Sequence, residues 1–141
     1  MISTNIDNLT QIARASERST RAHIGAAAAT GLFAALMTVS GIFYLVGPRF
    51  IMEQLEPLGY PLYFLKMLGA AKLLGVVGLL VPKRPTIREW AYAGFTFDLV
   101  AAVVSHLATN GAAHVPPALV ALALLFTSYV LRRRIGTGAN T

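Results

Sequence analysis

Two residues of opposite charge stand alone inside long apolar stretches of this sequence, Lys72 and Asp98. An ammonium and a carboxylate held together in an apolar medium can trade a proton or polarise a bound molecule, which is acid–base chemistry without a cofactor. His106 follows Asp98 eight residues on, a helical rise of about 12 Å, so the two do not touch. The candidate catalytic residues are therefore Asp98 and Lys72, with His106 near an entrance. Lys66, Glu53, Asn110 and His114 are candidates for an outer vestibule around His106. Tyr63, Phe64, Trp90, Phe95 and Phe97 offer flat apolar faces that could cradle a lipophilic ligand, or serve only as packing and interface belts. Glu89 reads as an acid at a helix start, favoured by the dipole. His106 and His114 match no standard ligand spacing, so no metal is expected.

The elements that carry these residues are apolar runs of membrane length. The chain has 141 residues, 55% hydrophobic and only 13% charged, against roughly 25% charged in ordinary soluble chains. So small a soluble domain needs polar surface; lipid on the outside removes the need. Four spans are expected, at about Ile24 to Val46, Leu62 to Val81, Glu89 to Ala108 and Val115 to Leu131. The first three are long enough to cross an apolar core of about 30 Å, and the fourth, about 25 Å by helix rise, should tilt little. Gly47-Pro48 ends the first. Ile51, Leu55 and Leu58 then share one helical face and Arg49, Glu53 and Glu56 another, which predicts a short interfacial helix. Pro82 to Pro85 makes a basic turn, and Pro116-Pro117 suits the first turn of span four. The fold class is an all-α, up-down-up-down membrane four-helix bundle. A polar tail over residues 1–23, with an interfacial helix from Ile6 to Ala22, precedes it. A C-terminal tail over residues 135–141 follows, the helix stopping at Arg132-Arg133-Arg134.

The net charge is +6, and its distribution argues against a nucleic-acid partner. Arg14, Arg18 and Arg21, then Lys83, Arg84 and Arg88, then Arg132, Arg133 and Arg134 flank apolar runs. With four spans all three clusters fall on one side and Arg49 on the other. The positive-inside rule then puts both termini in the cytoplasm of a cell (inner) membrane protein. The chain has no cysteine, which excludes a disulfide framework and iron–sulfur or Cys-zinc sites carried by this chain. The polar start is no secretory signal. There is no phosphate-binding glycine loop, no His pair at i, i+4 and no Gly-x-Ser-x-Gly elbow.

Lys72 lies ten residues into span two and Asp98 nine into span three. On antiparallel neighbours both reach the midplane, where a lone charge costs from about 2.5 to above 10 kcal/mol. A Lys72–Asp98 contact is predicted. It serves either to fix helix register or to handle protons for a ligand.

The stretches Pro57-Leu58-Gly59-Tyr60-Pro61, Leu65-Lys66-Met67-Leu68-Gly69-Ala70-Ala71-Lys72-Leu73-Leu74-Gly75, Glu89-Trp90-Ala91-Tyr92-Ala93-Gly94-Phe95-Thr96-Phe97-Asp98 and Ser105-His106-Leu107 together resemble the DoxX-like family of small membrane proteins. The resemblance covers about Gly47 to Ala108. It implies a four-helix bundle in the cell membrane, and some relatives are linked to quinone-dependent oxidation. One departure is visible: relatives often carry a Lys late in span one, where this chain reads Gly41-Ile42-Phe43-Tyr44.

The functional expectation is an intramembrane site for a lipophilic small molecule, such as a quinone, isoprenoid or polyketide. Asp98 and Lys72 would act on it by proton transfer, isomerisation, cyclisation or epoxide opening. No cofactor is called for; redox work would need a partner or bound quinone. The alternative is a non-enzymatic accessory subunit or assembly factor docked to a larger membrane protein. A small transporter working as a homo-oligomer ranks third.

Overall fold

A computed structural model describes residues 2–109 and 115–138, with side chains except at 2–5, 54 and 136–138. Every regular element among them is helical. Nothing breaks the chain from Ile2 to Val46: no proline occurs, and the glycines are isolated. The result is one 45-residue helix, α1 (Ile2–Val46). The helix is therefore continuous through the residues expected to form a separate polar tail. Gly47 ends it in the left-handed region (φ 66°), where glycine meets no Cβ penalty. The Gly47 N–H donates back to the Phe43 carbonyl at 2.9 Å.

Pro48 is extended and cannot continue α1; it starts the short α2 (Arg49–Leu55). A 3-10 turn over Glu56–Leu58 follows, closed by Gly59 at φ 70°. The extended Pro61 then opens α3 (Leu62–Leu80). After Val81 and Pro82, α4 runs Pro85–Thr109. Arg88 donates to the Val81 carbonyl at 3.1 Å, satisfying an orphan acceptor at the end of α3. The expected polar loop with Asn110 and His114 lies outside the described residues. α5 (Val115–Gly138) continues through Arg132-Arg133-Arg134 rather than stopping there. Arginine is a good helix former, and Arg132 is held by Thr30 of α1 at 2.9 Å.

α1, α3, α4 and α5 close a ring in which α1 packs on α3 and α5, and α4 packs on the same two. All four are long and apolar enough to cross a membrane. Their outward faces carry Leu74, Phe97, Phe126 and other large apolar side chains, a surface suited to lipid. Inside, Phe33, Met37, Leu79, Phe95, Leu99 and Leu125 form the core. Phe33 and Phe95 meet edge to face with centroids 5.0 Å apart. Two glycine sites set the spacing of the ring. A Cβ on Gly69 would lie 2.8 Å from the Gly41 carbonyl oxygen, so α1 and α3 touch backbone to backbone there. A Cβ on Gly75 would lie 2.7 Å from Phe95 Cζ, so the ring of α4 rests on bare α3 backbone.

Candidate functional site

The inward stripe of α3 is Leu65, Gly69, Lys72, Val76 and Leu79. These alternate four and three apart, the spacing of one helical face. Lys72 is thus built into the core-facing stripe by its position, and its side chain is 7% exposed. α4 turns Ala91, Tyr92, Phe95 and Leu99 inward. Asp98 stands at the edge of that face, its side chain 17% exposed. Lys72 Nζ donates to Asp98 Oδ2, and the two form a salt bridge joining α3 to α4. The Lys72 ammonium also lies over the Tyr44 ring of α1, 5.4 Å from its centroid, a cation–π contact that spreads its charge over a third helix.

Cavities surround the pair on several sides. One, of about 320 Å³, lies between α3 and α4 and is bordered by Ala71, Gly75, Trp90, Gly94 and the pair itself. A second, of about 100 Å³, lies toward α2 and holds the polar groups Tyr44, Tyr60, Ser105 and His106 beside the pair. A third, of about 650 Å³, reaches Lys72 and His106 from between α1, α4 and α5. Tyr60 and Ser105 share a hydrogen bond of 2.8 Å, tying the linker before α3 to α4. Leu55 and Leu58 also border the second cavity, so the α2 segment roofs it.

The other expected site residues are spread more widely. His106 borders the cavities with Lys72, two helical turns from Asp98. Glu53 is exposed and pairs with Arg49 at 3.0 Å. Lys66 points outward from α3 and, like Tyr63, borders none of the three cavities. Trp90 stands at the rim of the α3–α4 cavity, 77% exposed. Phe95 forms the floor of that cavity while belonging to the core. The expected vestibule of Glu53, Lys66 and His106 is therefore not assembled; its Asn110 and His114 lie outside the described residues. Among the described residues no three His, Asp or Glu side chains gather as a metal site.

A second polar cluster escaped sequence reasoning. Thr30 and Ser128 are fully enclosed, with their oxygens 2.6 Å apart. Thr30 donates its one proton to the Ala26 carbonyl, so it accepts from both Ser128 and Arg132. Ser128 in turn accepts from the Tyr92 hydroxyl at 2.8 Å. The chain of donation runs one way, Tyr92 to Ser128 to Thr30 to Ala26, across α4, α5 and α1. The signal was present in the sequence: hydroxyls inside apolar spans seek partners on neighbouring helices. Tyr44 was legible only as an aromatic near a span end.

This is a multi-pass membrane protein in which the Lys72–Asp98 salt bridge is enclosed among the spans. Neither the comparison with curated proteins nor that with solved structures gives a match. A family model, that of the DoxX-like family, matches residues 28–128. The match takes in most of the chain, including the core of all four spans and both members of the pair, and so the chain belongs to the DoxX-like family.

Proposed function

We propose that this protein binds a lipophilic small molecule at the Lys72–Asp98 pair and can act on it by acid–base chemistry. One observation carries the reading: a salt bridge among membrane spans that is bordered by cavities rather than by close packing. A purely structural pair is best served by dense surroundings and full hydrogen bonding. Ionisable groups inside a bundle that face a cavity mark a ligand or proton pathway. In such a site the Asp98 carboxylate removes a proton next to a ligand carbonyl. The negative charge that develops on the carbonyl oxygen is held by the Lys72 ammonium, and the proton returns at another carbon, an isomerisation. A polyketide offers such a carbonyl with a C–H beside it; a quinone or an oxygenated isoprenoid offers the oxygen for Lys72 to hold, without that step. His106 lies at the α2 end, where polar groups are concentrated.

The short links between helices support an up-down-up-down course, with α2 lying in the interface. The nine basic residues at 14, 18, 21, 83, 84, 88 and 132–134 support a cell-membrane protein with both termini in the cytoplasm. The binding reading is tested by native mass spectrometry of protein released from gentle detergent. A co-purified lipophile is expected in the natural chain and absent from Asp98→Asn. An Asp98→Asn protein that keeps the same bound mass ends the reading.

A second reading, an accessory subunit of a larger complex, draws on α1. Residues 6–21 form helix and are exposed throughout, leaving a polar rod for a partner membrane protein. Stoichiometric co-purification that survives Asp98→Asn supports it.

A further inference from the structure

The three sides of the pair are not alike. Toward α2 the space is small and roofed by Leu55 and Leu58, with the Tyr60–Ser105 hydrogen bond fastening the linker to α4. Toward α1, Tyr44 covers the ammonium with its ring, and the cavity of about 650 Å³ between α1, α4 and α5 borders Lys72 without bordering Asp98. Between α3 and α4 the boundary is different. Among the described residues, that cavity of about 320 Å³ is bordered by these two helices and no other element. Its sides are small at Ala71, Gly75 and Gly94, and a Cβ on Gly94 would meet nothing within 4 Å. Gly94 and Trp90 are both exposed, on the face that lipid covers.

The pair also keeps bonding capacity in reserve. An ammonium carries three N–H donors, yet among the described residues the one hydrogen bond of Lys72 goes to Asp98. Asp98 accepts that bond on Oδ2, and no bond to Oδ1 is found among the described residues. Of the two side chains, Asp98 is the more exposed, at 17% against 7%. An enclosed donor with no further acceptor costs free energy until a ligand supplies one.

We propose that the site is loaded sideways from the hydrocarbon, through the opening between α3 and α4 past Trp90. Its ligand is then an amphiphile with a single apolar tail. A carbonyl or hydroxyl oxygen at its head takes the spare donor of Lys72, and the tail remains among the lipid chains along Gly94 and Trp90. A water-soluble metabolite does not fit this route, because it would have to cross the acyl chains first. The inference rests on the binding reading above and adds the direction of entry and the tailed class of ligand.

The test uses the full chain in liposomes and a benzophenone bearing a decyl tail, whose ketone is both the oxygen head and the photoreactive group. Labelled residues are mapped by mass spectrometry. Gly94→Leu fills the opening from an exposed position, so folding is retained, which gel filtration and thermal unfolding check. Saturable labelling on α3 and α4 near Lys72 is expected in the natural chain, and a loss of at least about tenfold in Gly94→Leu. Ala102→Leu instead narrows the α2-side cavity and the one between α1, α4 and α5, both of which Ala102 borders. Labelling that survives Gly94→Leu, whether or not it is lost in Ala102→Leu, overturns loading between α3 and α4 and leaves the binding reading standing. Labelling that does not saturate in the natural chain overturns both.

Discussion

Replacing Lys72 by Met leaves the Asp98 carboxylate without its ammonium, and Asp98→Leu does the reverse. Either single change is expected to cost about 3–5 kcal/mol, because the partner left behind is charged, enclosed and unpaired. The double variant Lys72→Met with Asp98→Leu removes both charges and should regain most of that loss. Unfolding midpoints of the four proteins in one detergent check it; a double variant as unstable as the two losses added shows that the pair is not coupled. The second cluster gives a finer prediction from the direction of its protons. Tyr92→Phe leaves Ser128 short of one donor, whereas Thr30→Val strands the donors of both Ser128 and Arg132. Stranded donors cost more than an acceptor left idle. Thr30→Val should therefore destabilise more than Tyr92→Phe, itself worth about 0.6–1.7 kcal/mol. Equal losses in thermal unfolding contradict the assigned direction. At this scale the sequence showed Lys72 and Asp98 because charges are rare in apolar runs. It did not show Tyr44, whose contact with Lys72 depends on how α1 crosses α3.

At the scale of elements, the crossing of α1 and α3 depends on Gly41 and Gly69. Gly69→Ala puts a methyl 2.8 Å from the Gly41 carbonyl oxygen and 3.0 Å from Tyr44 Cβ, so the helices must part. A loss of about 1–3 kcal/mol is expected, and Tyr44 is moved away from Lys72. Gly94→Ala meets open space and should be neutral or stabilising by up to about 1 kcal/mol, since alanine is the better helix former. Thermal unfolding of the two variants side by side checks the contrast; similar losses would show that the close crossing is not what Gly69 serves. The span cores were legible from hydropathy, and Gly47-Pro48 and Pro61 from turn chemistry. The outer ends of α1 and α5 were not. Hydropathy reports where lipid ends, but a helix ends where a breaker stands or its end groups find other partners. Between Ile2 and His23 no breaker stands, and the three arginines after Leu131 favour helix as well as water.

For the whole molecule, orientation is the property that charge predicts and the ring of helices does not display. The chain has no cysteine, so single cysteines report cleanly. With cytoplasmic termini, Glu53→Cys should react with a membrane-impermeant maleimide in intact cells, while Thr86→Cys should react only after the cells are opened. The reverse pattern overturns the assignment. The expected vestibule depended on facing as well as depth: Glu53 and Lys66 are exposed and border neither cavity that His106 lines, because depth follows from counting residues while facing depends on rotation about each axis. One last consequence follows from the uninterrupted α1. At about 1.5 Å per residue, 45 residues reach roughly 68 Å, more than twice an apolar core of about 30 Å. Roughly half of the helix is therefore surplus to the crossing, and Arg14, Arg18 and Arg21 ride on that surplus, so a partner that grips it meets a preformed rod and spends no free energy on folding it.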